Sequence, residues 1–539
     1  MITSVSTTTH GHTVESLFRE ALSLQNAERF SEALLCYDRV AALDPESASL
    51  WFNRGLVLKA LGRLEEAVES CQRATAIEPT HLNAWYTCGG LYWSLDQLEK
   101  ALLCYDQVIA LDPQLVRAWN CRGMVLERLK RTDEALVSFE RALSIKPDHA
   151  DAWNNYGNSL LVLRKFDAAL ECFSRAIKFK EGLVSAWYNR GLALQAVEHY
   201  EQAIVNYEQV IAMNPGHTAA WNNMGLTLEN LGCWQEALAA YDNAIASRKT
   251  TDEFIAFWNK GLVKLLLGDY EEGWKLFEYR WTCFQDLHTA YSNLSTPRWL
   301  GEQALAGKAL LLHHEQGFGD TLQFCRYAKL AEDLGARVIL CVPAPLVRLL
   351  RTLSPGITVT VQAPPTHQQQ AQIPAHDYQT PLMSLPLAFK TTVETIPGPF
   401  PYLTPDPDLV NLWSGRFSQT SRLRVGLVWA GNPRKDQPDA NAIDRQRSLS
   451  LSALAPILAV PEVDFYSLQK GEEAALQLQQ SPWKNQIIDW TDSLQDFADT
   501  AALIEHLDLV ISVDTSVVHL TGAIGKPVWM LDRFNNCWR

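Results

Sequence analysis

The sequence predicts an α-helical superhelix in its first half and an α/β region of two lobes in its second. Two observations carry this expectation. Tryptophan recurs every 34 residues at Trp51, Trp85, Trp119, Trp153, Trp187 and Trp221, a period that builds stacked helix pairs. From Gly301 onward that period gives way to short apolar runs alternating with helical stretches, the pattern of parallel sheets covered by helices.

The repeat is justified position by position. Gly55, Gly89, Gly123, Gly157, Gly191 and Gly225 stand four residues after the tryptophans. Sixteen after them come alanines, from Ala67 to Ala237, and four further on an apolar or aromatic residue: Cys71, Tyr105, Phe139, Phe173, Tyr207, Tyr241. Pro45, Pro79, Pro113, Pro147 and Pro215 close the units, with Glu181 as the exception. This matches the tetratricopeptide pattern. Tryptophan is expected to fill the space between the two helices of a unit, glycine and alanine to let helices approach, and proline to end the hydrogen-bond ladder. About eight repeats are expected over residues 14–290, after a polar tail, 1–13, read as disordered. Leu17 and Ala21 hold the Trp and Gly places in the first unit, and Phe257 and Gly261 in the last, which is offset by two residues.

Two residues after the tryptophan position come Asn53, Asn155, Asn189, Asn223 and Asn259. A ladder of carboxamides can bind the backbone of an extended polypeptide, so these residues are expected to line a peptide-binding groove. The plainer reading is a polar residue tolerated on a solvated helix face.

At 539 residues the chain exceeds one core. A net charge of -14 argues against general affinity for nucleic acid or anionic membrane, which are bound through clustered Lys and Arg. No apolar run approaches the roughly 18 residues that span a bilayer. The N-terminus lacks the basic and apolar blocks of a secretory signal, so a cytoplasmic location is expected. Eleven cysteines without a close C-x-x-C pair indicate neither a zinc site nor a redox motif. Cys36, Cys104 and Cys172, each 68 residues apart, suit small buried apolar side chains.

In the second half, Ala309 to Leu312 reads as a strand ending in Gln316-Gly317-Phe318-Gly319-Asp320. A helix over Thr321 to Leu334, a strand over Val338 to Val342, a helix over Ala344 to Leu353 and a strand over Thr358 to Val361 complete a first lobe, 301–400. Gln362 to Pro407, rich in Pro and Gln, reads as mostly loop and inter-lobe connection. A second lobe, 422–539, opens with the strand Val425 to Trp429 and the turn Ala430-Gly431-Asn432-Pro433. Further strands are expected at Asp464 to Leu468, Gln486 to Ile488, Leu509 to Val513 and Val528 to Leu531, with helices at Leu451 to Leu458 and Phe497 to Glu505. Ligands of such sheets bind at the carboxyl ends of strands. Asp320, at or just before a helix start, is a cap or a chemical group.

The strings EQGFGDTLQFCRYA, VGLVWAGNP, SLQKG and DLVISVDTSVVHLTGAIGKPVW resemble the glycosyltransferase domain attached to tetratricopeptide arrays in many bacterial proteins. That domain is similar to the ADP-heptose heptosyltransferases and, more distantly, to the O-linked N-acetylglucosamine transferases. The resemblance implies a GT-B fold of two Rossmann-like lobes and metal-independent transfer from a nucleotide-sugar donor, with no further cofactor. It puts the donor diphosphate at the turn Val513 to His519, on backbone N–H groups and the Thr515 and Ser516 hydroxyls, with Asp514 orienting the turn or contacting the sugar and His519 one helical turn behind. The plainer reading is that Asp514 and Thr515 only cap a helix; Ser516 departs from the family's usual Ala or Gly and adds a hydroxyl. Arg447 holds the place of the heptosyltransferases' basic phosphate-binding residue, and Lys470 is a second candidate cation. Gly317, Gly319, Gly431 and Asn432 complete the expected donor-binding set, while Arg434, Lys435 and Arg445 read as a solvated loop. Asp320 holds the place of the carboxylate proposed as base, with His313 or His314 as substitutes. Such domains continue into further helix, whereas this chain stops eight residues after its last expected strand, so the second lobe is expected to be truncated. The expected function is a glycosyltransferase acting on a protein hydroxyl captured by the array. The alternatives are a non-catalytic adaptor with a degenerate nucleotide-binding domain and a transferase acting on a cell-surface glycan.

Overall fold

The structure, a computed structural model, describes residues 14–248, 254–284, 294–361, 374–398, 400–431 and 447–532. The expected tail 1–13 therefore lies outside the described residues, as do 249–253 within the segment Ser247 to Phe254, where the two-residue offset of the last unit is expected to arise. The chain divides into two compact units, Met1–Leu231 and Gly232–Arg539.

The first unit is all helix, from Val14–Asn26 and Phe30–Leu43 through successive pairs to Tyr200–Met213 and Thr218–Asn230. Within a pair, the glycine of one helix faces the aromatic of the next. A Cβ on Gly123 would lie 2.5 Å from the Phe139 ring, and one on Gly191 would lie 2.6 Å from Tyr207. Gly123→Val is therefore expected to destabilise the array by about 1–3 kcal/mol, the usual cost of overpacking a core, read as a lower denaturant midpoint of its unfolding transition.

The tryptophans do something the sequence reading did not anticipate. Trp51 is buried, but most of the others are half-buried, and each indole N–H donates to a backbone carbonyl six residues earlier. The acceptor is the carbonyl of the proline position, at 2.7 Å for Pro45 and 2.8 Å for Pro147. Trp187 makes the same bond to Glu181 at 2.8 Å. Glu181 can replace proline because the acceptor is main chain, so the ring is dispensable there.

The second unit begins with the helices Trp234–Ala246, Ile255–Leu266, Tyr270–Phe277 and Arg280–Cys283. Its first sheet contains β1 (Ala309–His313), β2 (Arg337–Val342), β3 (Thr358–Val361) and β4 (Tyr378–Pro381), in the order β3-β2-β1-β4 and all parallel. Its second contains β5 (Leu423–Val428), β6 (Val463–Ser467), β7 (Ile487–Asp489), β8 (Leu509–Val513) and β9 (Val528–Leu531), in the order β7-β6-β5-β8-β9 and again all parallel. Trp274 and Phe277, on the last helix pair, join the hydrophobic core of the first sheet, with the Trp274 ring edge-on to Phe324 at 6.4 Å.

Three expectations are corrected. Gln362 to Pro407, expected to be mostly loop and connection, also contributes a strand to the first sheet: Tyr378–Pro381 pairs with β1, and Leu385–Ala388 is a short helix. YQTP lacks an apolar run, and its proline is tolerated because the strand is at an edge. The helix expected over Thr321 to Leu334 begins earlier and is broken, as Phe318–Phe324 and Tyr327–Asp333, so Asp320 is the third residue inside a helix. Leu451 to Leu458 divides into a 3-10 turn, Leu451–Leu454, and a short α-helix, Ala455–Leu458, with Pro456 in its first turn.

Candidate functional site

In each sheet the chain reverses direction of winding at a central strand, β1 in the first and β5 in the second. Such switch points leave a crevice beyond the strand ends. The turn after β1 leads through Gly317 into the helix Phe318–Phe324, and the turn after β8 leads through Thr515 into the helix Ser516–Ala523. These two helices pack against each other. A Cβ on Gly319 would lie 2.6 Å from Cδ2 of His519 and 3.5 Å from Cα of Ser516, so only glycine lets the two elements meet at this distance.

Beside this contact lies a cavity of about 660 Å³. Gly317, Phe318, Gly319, Asp320 and Pro345 line one wall; Gly431, Arg447, Lys470, Asp514, Thr515, Ser516 and His519 line the other. The described residues predicted to bind the donor, together with Asp320, thus converge on one space. Asn432 lies outside the described residues, as do Arg434, Lys435 and Arg445.

Asp320 is 5 % exposed, and its Oδ2 accepts from the Gly317 N–H at 2.9 Å. It therefore does cap its own helix, while lining the cavity. His313 is fully buried at the end of β1, with Nε2 3.0 Å from the Gln379 carboxamide oxygen. Burial pushes its pKa down to about 4. His314 is also shifted down by burial, against the pull of Asp320, and its Nδ1 lies 2.6 Å from the Thr321 hydroxyl. Neither histidine lines the cavity.

On the opposite wall, Thr515 precedes the helix Ser516–Ala523 with extended backbone and makes no side-chain cap bond; its hydroxyl lies 3.1 Å from that of Ser512. Thr515 thus holds the N-cap position without capping the helix through its side chain. Arg447 packs on Gly431, where a Cβ would come within 2.8 Å of its Nε. The Gly431 N–H donates to Ser448 at 3.0 Å. The Lys470 ammonium donates to the Leu494 carbonyl, which anchors this cation to its own lobe.

Two groups of residues escaped the sequence reading. Gln469 accepts from the backbone N–H of Trp429 at 2.9 Å and of Ala430 at 2.8 Å, and donates to the Ala430 carbonyl at 2.9 Å. A carboxamide can satisfy donors and acceptors of one turn at once; the string SLQKG was the only trace of it. Arg348 reaches across from the helix Ala344–Leu350 to Asp496, at 3.0 and 2.7 Å, and to Asp499 at 2.6 Å. Phe318 meets Phe497 edge-on at 5.4 Å beside it. No local pattern announces pairs so distant in sequence.

In the array, three predicted groove residues bond to the preceding repeat. Asn155 donates to Asn120 at 3.0 Å, Asn189 to Asn154 at 3.1 Å and Asn223 to the Tyr188 hydroxyl at 2.9 Å, each 35 residues back. Asn53 donates to the Ser49 carbonyl at 2.8 Å in its own helix, and Asn259 is buried. The recurrence of asparagine thus has a stitching role between neighbouring repeats. Among the described residues no group of three or more His, Cys, Asp or Glu side chains is placed to hold a metal ion, and no helix is long and apolar enough to cross a membrane.

Comparison with known proteins bears on the array. Tetratricopeptide-repeat family models match residues 18–81, 89–153, 127–187, 184–217 and 206–239. Protein FlbA of Caulobacter vibrioides is 30% identical over 293 residues, which is 50% of this chain and 47% of FlbA, so the chain matches about half the length of that relative. Among solved structures, YrrB, described as a TPR protein with an unusual peptide-binding site, is 22% identical with a TM-score of 0.30, covering 34% of this chain and 95% of that one. A tetratricopeptide repeat protein from Parabacteroides merdae is 17% identical with a TM-score of 0.40, covering 47% and 99%. Residues 18–239 of this chain are tetratricopeptide repeats, followed by an α/β region of two parallel sheets.

Proposed function

We propose that the α/β region is a GT-B-like glycosyltransferase domain that moves a sugar from a nucleotide-sugar donor to an acceptor hydroxyl, and that the array captures the polypeptide bearing it. The observation that carries this reading is the shared cavity, with Asp320 on one wall and Arg447, Lys470 and the Asp514–His519 turn on the other. Backbone N–H groups at the start of the helix Ser516–Ala523, together with the two cations, suit a diphosphate without a metal. In the transfer, the acceptor hydroxyl gives its proton to the Asp320 carboxylate as its oxygen bonds to the anomeric carbon. The bond from that carbon to the diphosphate breaks, and the electron pair leaves on phosphate.

Calorimetric titration with UDP, GDP and ADP tests the reading. At least one is expected to bind, and Asp514→Ala and Arg447→Ala are each expected to weaken it about tenfold, or about 1.4 kcal/mol. Sugar mass added to a co-expressed protein should disappear in Asp320→Ala. The rival is an adaptor whose α/β region is inert, and one observation favours it: Asp320 already has a structural task in capping its helix. Failure of all three nucleotides to bind would decide for that adaptor. Labelled glycan with unlabelled protein would move the acceptor from polypeptide to carbohydrate.

A further inference from the structure

We infer that Arg280, first residue of the short helix Arg280–Cys283, is a positioning residue for the cavity: through Glu315 it holds in place the turn at Gln316 and Gly317 and the start of the helix Phe318–Phe324. The inference rests on the binding role proposed for that cavity. Glu315 follows β1 by two residues and immediately precedes the turn. Its side chain is 2 % exposed, and Arg280 is fully buried.

Every donor of the guanidinium is used. Nε and Nη2 reach the two oxygens of Glu315 at 2.5 and 2.9 Å, and Nη2 also donates to the Ser384 hydroxyl at 2.8 Å. Nη1 donates to Glu278 at 2.6 Å and to the Phe277 carbonyl at 3.3 Å. The guanidinium also lies near the rings of Phe277 and Trp281, at 4.4 and 5.0 Å from their centroids. Arg298 stacks on Trp281 at 4.4 Å and lies 3.6 Å from Glu278, so two cations balance two carboxylates. Such a site fits arginine alone: five donors in a planar fork have five acceptors around them, and an ammonium could not span them.

Stability does not account for this arrangement. A buried ion pair is often replaced by apolar side chains at no loss, because desolvation offsets the attraction. What apolar side chains cannot reproduce is direction, and the bidentate fork fixes Glu315 in one orientation. The turn and first helical residues that follow carry Gly317, Gly319 and Asp320, all on the cavity wall. Helices Tyr270–Phe277 and Arg280–Cys283, repeat-like in sequence, therefore serve the α/β site.

The test uses the full chain. Arg280→Met/Glu315→Leu removes one charge of each sign and leaves Arg298 with Glu278. It is expected to melt near the native temperature, while amides 316–320 exchange with deuterium at least tenfold faster and the affinity for UDP, GDP or ADP falls at least tenfold. Native exchange rates at 316–320 in the folded double variant would overturn the inference. Glu315→Gln keeps the shape and weakens the fork; it should show a smaller shift of the same sign, and native protection there counts equally against the idea if the double variant does not fold. If none of the three nucleotides binds the native chain, the transferase reading fails, while exchange at 316–320 still decides whether Arg280 positions the turn.

Discussion

Gly319→Leu is expected to weaken nucleoside-diphosphate binding at least a hundredfold, about 3 kcal/mol, while leaving the melting temperature nearly unchanged. Gly319 is the second residue of the helix Phe318–Phe324, and a single added methyl would already stand 2.6 Å from His519. A full isobutyl group has two outlets. It can push the helix Ser516–Ala523 away, opening the contact between the lobes, or it can turn His519 into the cavity. Either removes groups from the place where the diphosphate is proposed to sit. The local helix gains from the exchange, since leucine is the better helix former, so loss of binding would not reflect unfolding. Calorimetry and a thermal melt on the same sample separate the two effects. Affinity within threefold of native would mean that the close approach of the two lobes has no part in binding.

Acidification provides the second large effect. His313 is buried without charge, its pKa pushed down to about 4, chiefly by burial and also by Arg298 and His314, with Gln379 and the His314 carbonyl opposing. In the unfolded chain the group titrates near 6.5, so between these values the unfolded state holds the extra proton. The sign follows: stability is fully present above pH 6.5 and is lost as pH falls toward 4, by about 3 kcal/mol at the end of the window. Carboxylates also respond to acid, so the measurement is a difference. Denaturant midpoints of the α/β transition at pH 7 and pH 4.5 should fall markedly less in His313→Asn than in the native chain. Equal losses in both would refute a buried neutral imidazole at this position. His314 is displaced in the same direction and adds to the slope.

The sequence by itself determined the array. Its contacts repeat every 34 residues and join positions that are close along the chain, such as Gly123 with Phe139 or Trp187 with the Glu181 carbonyl. The strands were legible for a similar reason: β8 is buried and must be a short apolar run, while β3 and β9, partly exposed strands at the sheet edges, are marked by β-branched and apolar residues that favour strands. The two turns of the site were marked by glycine and by the VDTS string, since strand ends with small or hydroxyl-bearing residues are recognisable locally.

Only the tertiary structure decided the polar partners. Arg280 and Glu315 lie 35 residues apart, Gln469 and Ala430 lie 39 apart, and Arg348 and Asp496 lie 148 apart. Each of those polar groups could have been satisfied by water, so nothing local selects its mate. The same reason hid β4, whose residues become a strand because β1 offers them an edge and Asp377 accepts the Ala309 N–H at 2.8 Å. Apolar periodicity is a property of neighbours in the chain, whereas the choice of hydrogen-bond partner is made only when the folded chain excludes water.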